Sequence, residues 1–184
     1  EILFGNYHSK RTTDIFDKIF SYKLEAKNVL KMSDYGISQL YEDDGDLRKC
    51  QWQTQRDTEG NVGQFFVKYG DVTDNGFEFA KLLPMIRMSE MYLIKAECTK
   101  DYKALNPIRK ARNIPQLKSN IGLNGYIEDE YVREFIGEGQ LFWYYKRKGI
   151  TSIPRLYNPN LQDMQITNST YVFDLPDSEQ QLRK

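Results

Sequence analysis

The residues most able to do chemistry fall in a few short stretches. Trp52 stands in "QWQTQR", flanked by Gln51, Gln53, Gln55 and Arg56. An indole among amides and a guanidinium can stack on the C–H face of a sugar ring while its neighbours bind hydroxyls. Tyr41, Tyr35 and Tyr157, the last beside Asn158 and Asn160, are further ring-bearing candidates. The expected ligand surface is Trp52, Tyr41, Tyr35, Arg56 and Tyr157, carried by connecting segments; the other open reading makes Trp52 the hydrophobic plug of its own loop and Tyr41 a packed ring. "EGQLFWYYKRKG", Glu138 to Gly149, offers a second aromatic run. Here the expectation is different: Leu141 to Tyr145 continue a helix and are buried, and Lys146, Arg147 and Lys148 favour the negative end of its dipole.

Catalytic constellations are poor. The one histidine, His8, adjoins Ser9, but neighbours in an extended segment point opposite ways, so the two form no dyad. Glu134 and Glu138 lie one helical turn apart and are expected to bind arginine or backbone groups rather than to share a proton. The acidic run Glu42, Asp43, Asp44, Asp46 does not fit a calcium loop. With Gly45 in the sixth position, Leu40 would be first and Gln51 twelfth, and neither is a carboxylate. The "GEG" at 137–139 lacks the preceding strand and the third glycine of a phosphate loop. Cys50 and Cys98 make no metal-binding spacing; a bridge or two separate small hydrophobes are both open. No metal and no cofactor are expected.

The chain has 184 residues, enough for one domain with a real core. Its 26 basic and 26 acidic residues cancel, which argues against a nucleic-acid partner. No apolar run approaches the ~20 residues of a membrane span. The start, "EILFGNYH", has no initiating Met and no signal-peptide pattern; a fragment or processed chain is expected.

The elements that must position these residues follow from periodicity. Ile2 to Phe4 are extended. Thr13 to Lys31 have helical spacing, and "ISQLYE" is a second short helix. The polar stretch from Asp43 to Gly63 is expected as a long surface loop before a strand in "QFFVKYGDV". The strongest helix starts at Pro84, which suits a first turn, and its apolar residues lie on nearly every face, as in a helix surrounded by others. "ALNPIRKAR" pairs with it across a short turn as a helical hairpin, resembling a tetratricopeptide pair. Gly137 and Gly139 mark a bend in the third helical region, and Gly149 ends it. The fold class is mainly α, a helical-hairpin scaffold with long irregular loops and few short strands. A loop-rich ligand-side region covers 33–83, a helical region 84–149 and an irregular tail 150–184.

Four pieces in order carry a resemblance: "LPMIRMSEMYLIKAEC", "ALNPIRKAR", "EYVREFIGEGQLFWYYKRKG" and "YVFDLPDSE". They resemble the C-terminal half of the SusD/RagB family of outer-membrane lipoproteins. Arg87, Glu90, Leu93, Ala96 and Glu97 match one helix motif of the family. Asn106, Ile108 and Arg109 match a second motif, and Glu134, Phe135, Glu138 and Gly139 a third. Asp46 and Arg48 match an upstream Asp-x-Arg. Gln140 and Tyr144 depart from the family's usual Arg and Asp. The resemblance implies a C-terminal domain over 1–184 that captures an oligosaccharide, or a peptide, without catalysis. It implies delivery to a TonB-dependent SusC-like transporter, at a cell surface reached through a lipid anchor further upstream. A helical module that binds only peptide or the transporter is the alternative, and a glycoside-active enzyme the third reading.

Overall fold

In the computed structural model, residues 2–41, 43–70, 81–155 and 160–182 are described. Glu42 and Tyr157 lie outside them. The chain opens with β1 (Ile2–Tyr7) and a π-helical segment, Thr12–Phe20. The helix expected to reach Lys31 stops at Ser21, which is extended. Lys31 is already in the short strand β2 (Lys31–Met32). Next comes α1 (Asp34–Leu40), whose first turn is capped by Ser33 Oγ accepting from the Gly36 N–H at 3.1 Å.

The segment expected to be a surface loop is ordered secondary structure. A 3₁₀ turn, Leu47–Gln51, feeds β3 (Trp52–Arg56), which pairs with β4 (Val62–Phe66). The turn between them is built on Asp57. Its Oδ1 accepts from the Glu59 and Asn61 N–H groups, both at 2.9 Å, and Gly60 takes φ +85°. A short acidic side chain and a glycine with positive φ are the chemistry of a tight turn. The three strands form a sheet in the order β2-β4-β3.

β5 (Leu82–Arg87) returns antiparallel to β1. Pro84 therefore lies in a strand, opposite Gly5, and not in the first turn of a helix. A two-stranded ribbon has only edge strands, where a missing N–H is tolerated. The helical region begins at Met88 with α2 (Met88–Thr99). Lys100 ends it in the left-handed conformation, and α3 (Tyr102–Ala111) follows at once, capped by Asp101. Pro107 sits within α3. These two helices form the expected hairpin. α4 (Leu123–Phe135) and α5 (Gln140–Lys148) are separated by a break in which Gly137 and Gly139 both take positive φ. Gly149, also left-handed, ends α5 as expected. The tail holds the ribbon β6 (Ser152–Ile153) and β7 (Met164–Gln165), a 3₁₀ turn Asn168–Tyr171, and α6 (Asp177–Leu182).

Two apolar clusters form the interior. One joins Leu93 and Ala96 of α2, Leu105 and Ile108 of α3, and Ile127, Tyr131 and Phe135 of α4, with Tyr144 of α5. The other joins Phe16, Phe20, Met32, Leu40, Tyr41, Trp52, Phe66 and Tyr69. Val132 and Ile136, at and just beyond the end of α4, pack against this second cluster. The scaffold is mainly helical with few short strands, as the periodicity predicts. α2 is not surrounded, however: Met88, Met91 and Ile94 are exposed, while Ser89, Leu93 and Ala96 face inward.

Candidate functional site

A network of ion pairs lies buried in the molecule. Asp46 in the turn before β3, Arg87 at the end of β5, Arg109 and Arg112 at the end of α3, and Glu130, Arg133 and Glu134 on α4 converge. The Arg48 guanidinium binds both Asp46 oxygens, at 2.9 and 2.7 Å, and donates to Glu130 Oε2 at 2.8 Å. Arg109 reaches Glu130 Oε1 at 2.9 Å. Arg112 forks onto Glu134 at 3.1 and 2.6 Å, and Arg87 binds the same carboxylate and Glu138. Lys68 pairs with Glu138 and donates to the Glu134 carbonyl at 3.1 Å. Glu130 and Glu134 reach one place because residues four apart share a helix face.

This lattice holds charge rather than moving protons. Burial opposes ionisation of Glu134, but its hydrogen bond from Arg112 and the charges of Arg87, Arg112 and Arg48 hold its carboxyl well below the usual range. A general acid needs the opposite, a raised pKa. Glu134 and Glu138 thus bind arginine, as the sequence predicts. Six of the residues that carry the family resemblance in the sequence (Asp46, Arg48, Arg87, Arg109, Glu134 and Glu138) belong to this lattice.

The sequence-expected ligand surface is not where its residues lie. Trp52 is 6% and Tyr41 1% exposed. The indole N–H donates to the Tyr41 hydroxyl at 3.2 Å, and the ring lies 4.9 Å from Phe66. Neither ring has a face to offer. Burial, partly offset by the Trp52 hydrogen bond, pushes the Tyr41 hydroxyl up to about 12. The structure brings these two together as core and leaves the others apart. Tyr35 is exposed on α1, and Arg56 is exposed at the hairpin end, donating to the Gly60 carbonyl at 3.0 Å.

The second aromatic run is also corrected, in the opposite sense. Tyr144 is buried and stacks on Tyr131 at 4.0 Å, whereas Trp143 is 58% exposed. Five consecutive residues sweep more than a full turn at about 3.6 residues per turn, so one face cannot bury them all. Leu141, Tyr144 and Tyr145 pack inward. Gln140, Trp143 and Arg147, at three- and four-residue steps, share the other side. A tryptophan in a polar stripe was the available signal, once the glycine break is taken to reset the helix phase.

Trp143 stands over a groove of about 720 Å³ between α2 and α5. Met85 and Ile86 of β5 and Met91 and Ile94 of α2 give it apolar walls. Glu90, Gln140 and Arg147 supply polar groups. Arg147 is held by Glu97 through two bonds of 2.8 Å. That hydrogen bond from Arg147 draws the Glu97 carboxyl below its ordinary value, while burial raises that of Glu90. The tail completes the surface: Phe173, 69% exposed, lies with its ring centroid 6.2 Å from that of Trp143. Cys98 lines the groove as well, and both cysteines are free.

The fold and this groove define a helical-hairpin scaffold that presents rings at its surface and holds one buried lattice of paired charges inside. The chain belongs to the SusD family, whose profile matches residues 51–183. Among solved structures it is similar to a SusD-like carbohydrate binding protein from Bacteroides vulgatus, at 17% identity and a TM-score of 0.66. That match covers 98% of this chain and 47% of the other, so the chain spans about half the length of this neighbour. No curated protein matches.

Proposed function

We propose that this chain binds an oligosaccharide at a cell surface, without catalysis, with Trp143 as its stacking ring. One observation carries the reading: in a SusD-family chain, an open indole lies beside Gln140, Glu90 and Arg147. The ring offers apolar area to a sugar's C–H face, and amide, carboxylate and guanidinium orient its hydroxyls. The similarity to a carbohydrate binding protein supports the ligand class. The chain would act as the C-terminal domain of a lipid-anchored outer-membrane protein that hands its ligand to a TonB-dependent SusC-like transporter. Tyr35 and Arg56, both exposed, are outlying contacts in this reading.

A glycan array followed by calorimetry tests it. Trp143→Ala should weaken the best array ligand at least about fivefold, taking the ~1–3 kcal/mol of a nucleobase stacked on one ring as the guide for a sugar, and leave the melting temperature within about 1 °C. Unchanged affinity would remove Trp143 from the site.

A second reading has its own observation. Met85, Met91 and Ile94 make the groove aliphatic, and methionine-rich grooves suit the apolar face of a protein helix. Retention by the transporter barrel with no array signal would favour this reading.

A further inference from the structure

A separate cavity of about 460 Å³ lies on the other side of α4 and α5, closed by α1 and by the chain that leads into β6. Its floor is aliphatic, formed by Val132, Ile136 and Leu141, with Ile153 from the tail. Its polar lining residues are Gln39, Glu128, Asp129, Arg133, Tyr145 and Ser152, and three of them, Gln39, Glu128 and Tyr145, matter most here. Among the described residues none of these three is engaged by a side-chain hydrogen bond or ion pair. Glu128, half-buried, has no ion pair among the described residues, unlike Glu130 and Glu134 on the same helix.

The electrostatics of the lining are one-sided. Its carboxylates are Glu128 and Asp129, and its one cation is Arg133. The Arg133 guanidinium is already used, donating to the Leu40 carbonyl at 2.6 Å and contacting Glu130 at 3.4 Å and Asp129 at 3.9 Å. Among the described residues Glu128, which lines the cavity, has no counterion. Burial first, and then the charge of Glu128, raises the Tyr145 hydroxyl to about 12. It therefore stays protonated and keeps oxygen lone pairs free to accept.

We infer that this cavity binds a primary ammonium carried on an apolar body. The ammonium N–H groups would go to Glu128, the Tyr145 oxygen and the Gln39 carbonyl. The body would lie on Val132, Ile136 and Leu141. An anion would meet an uncompensated carboxylate, and a neutral alcohol would forgo the charge-assisted bond, which is about twice as strong as a neutral one. The two sources of such a group are a free amine and the amino end of a peptide.

The test is an NMR titration of the intact chain with phenethylamine, 2-phenylethanol and phenylacetate, which share a body and differ in charge. Phenethylamine should shift the Val132, Ile136 and Ile153 methyl signals saturably. It should bind at least about tenfold more tightly than the alcohol, with phenylacetate silent. Glu128→Gln, at a side chain with no hydrogen bond or ion pair among the described residues, should bring amine and alcohol to within about twofold. A Phe-Gly-Gly peptide and its N-acetylated form identify the source: competition by the free-ended peptide alone points to peptides, and competition by neither points to small amines. Equal binding of the three probes, no saturable shift, or an amine preference that survives Glu128→Gln would overturn the inference. Trp143 takes no part in this cavity, so loss of glycan binding in Trp143→Ala and loss of amine binding in Glu128→Gln are separate outcomes.

Discussion

The two tryptophans exchange the roles that their neighbours in the sequence advertise. Trp52 has polar neighbours because it is on a strand: in β3 the indole is buried while Gln53, which alternation puts on the opposite face, is exposed. A half-buried strand puts polar residues beside an inward ring, so the flanking glutamines that suggest a sugar platform equally describe a sheet. Trp52→Ala should therefore cost about 3–5 kcal/mol, the range for a large buried ring. Urea denaturation would show it, with glycan affinity unchanged at temperatures where the variant is folded. A normal denaturation midpoint would mean that the ring is not packed as described. Trp143 was hidden by its company of apolar residues, and only its helical phase separates it from Tyr144.

Between the residues and the whole lie the elements, where periodicity works well and punctuation less so. α1, α3 and α4 are legible because three- and four-residue spacing is a direct record of one buried face, while α2 and α5 are legible as helices but not in which side they bury, since their apolar residues lie on both sides. The β3–β4 hairpin was not, although "DTEGN" is a turn; its strands are short and polar on one side. Pro84 was ambiguous, since an edge strand and a helix start both tolerate it. The Gly137 break is the element-scale feature with the sharpest consequence. Gly137 has φ +76°, and an added Cβ would lie 2.5 Å from a Phe66 ring carbon. Left-handed backbone costs a residue with a Cβ about 1–2 kcal/mol, and overpacking typically ~1–3 more. Gly137→Ala should lower stability by about 2–5 kcal/mol. Gly139→Ala, with open space around it, should show only the backbone part of that loss. Equal losses at the two sites in thermal melts would show that the Phe66 approach is unimportant.

At the scale of the whole molecule, the buried lattice ties together residues from Asp46 to Glu138 that no local pattern could have paired. The resemblance to a family singles out Asp46, Arg48, Arg87, Arg109, Glu134 and Glu138 but not Lys68, Arg112, Glu130 or Arg133, and spacing alone pairs none of them with its arginine or carboxylate partner across the chain. Taking away one member leaves the others charged and unpaired, so Glu134→Gln should cost about 3–5 kcal/mol. The same carboxylate sets a pH dependence. Its folded pKa is depressed below the ordinary 4.5, so the unfolded chain takes up the proton first, and stability is lost as pH falls below that value. Denaturant midpoints measured from about pH 6 down to about pH 3 should fall for the native sequence and fall less for Glu134→Gln. Parallel curves would show that other carboxylates dominate.

Because α4 gives Ile127, Tyr131 and Phe135 to one apolar cluster, while Val132 and the adjoining Ile136 serve the other, neither half of the chain can close an interior of its own. Melting should therefore register as one calorimetric event, and a protease nick that frees α4 should dissolve both halves together instead of releasing a resistant piece.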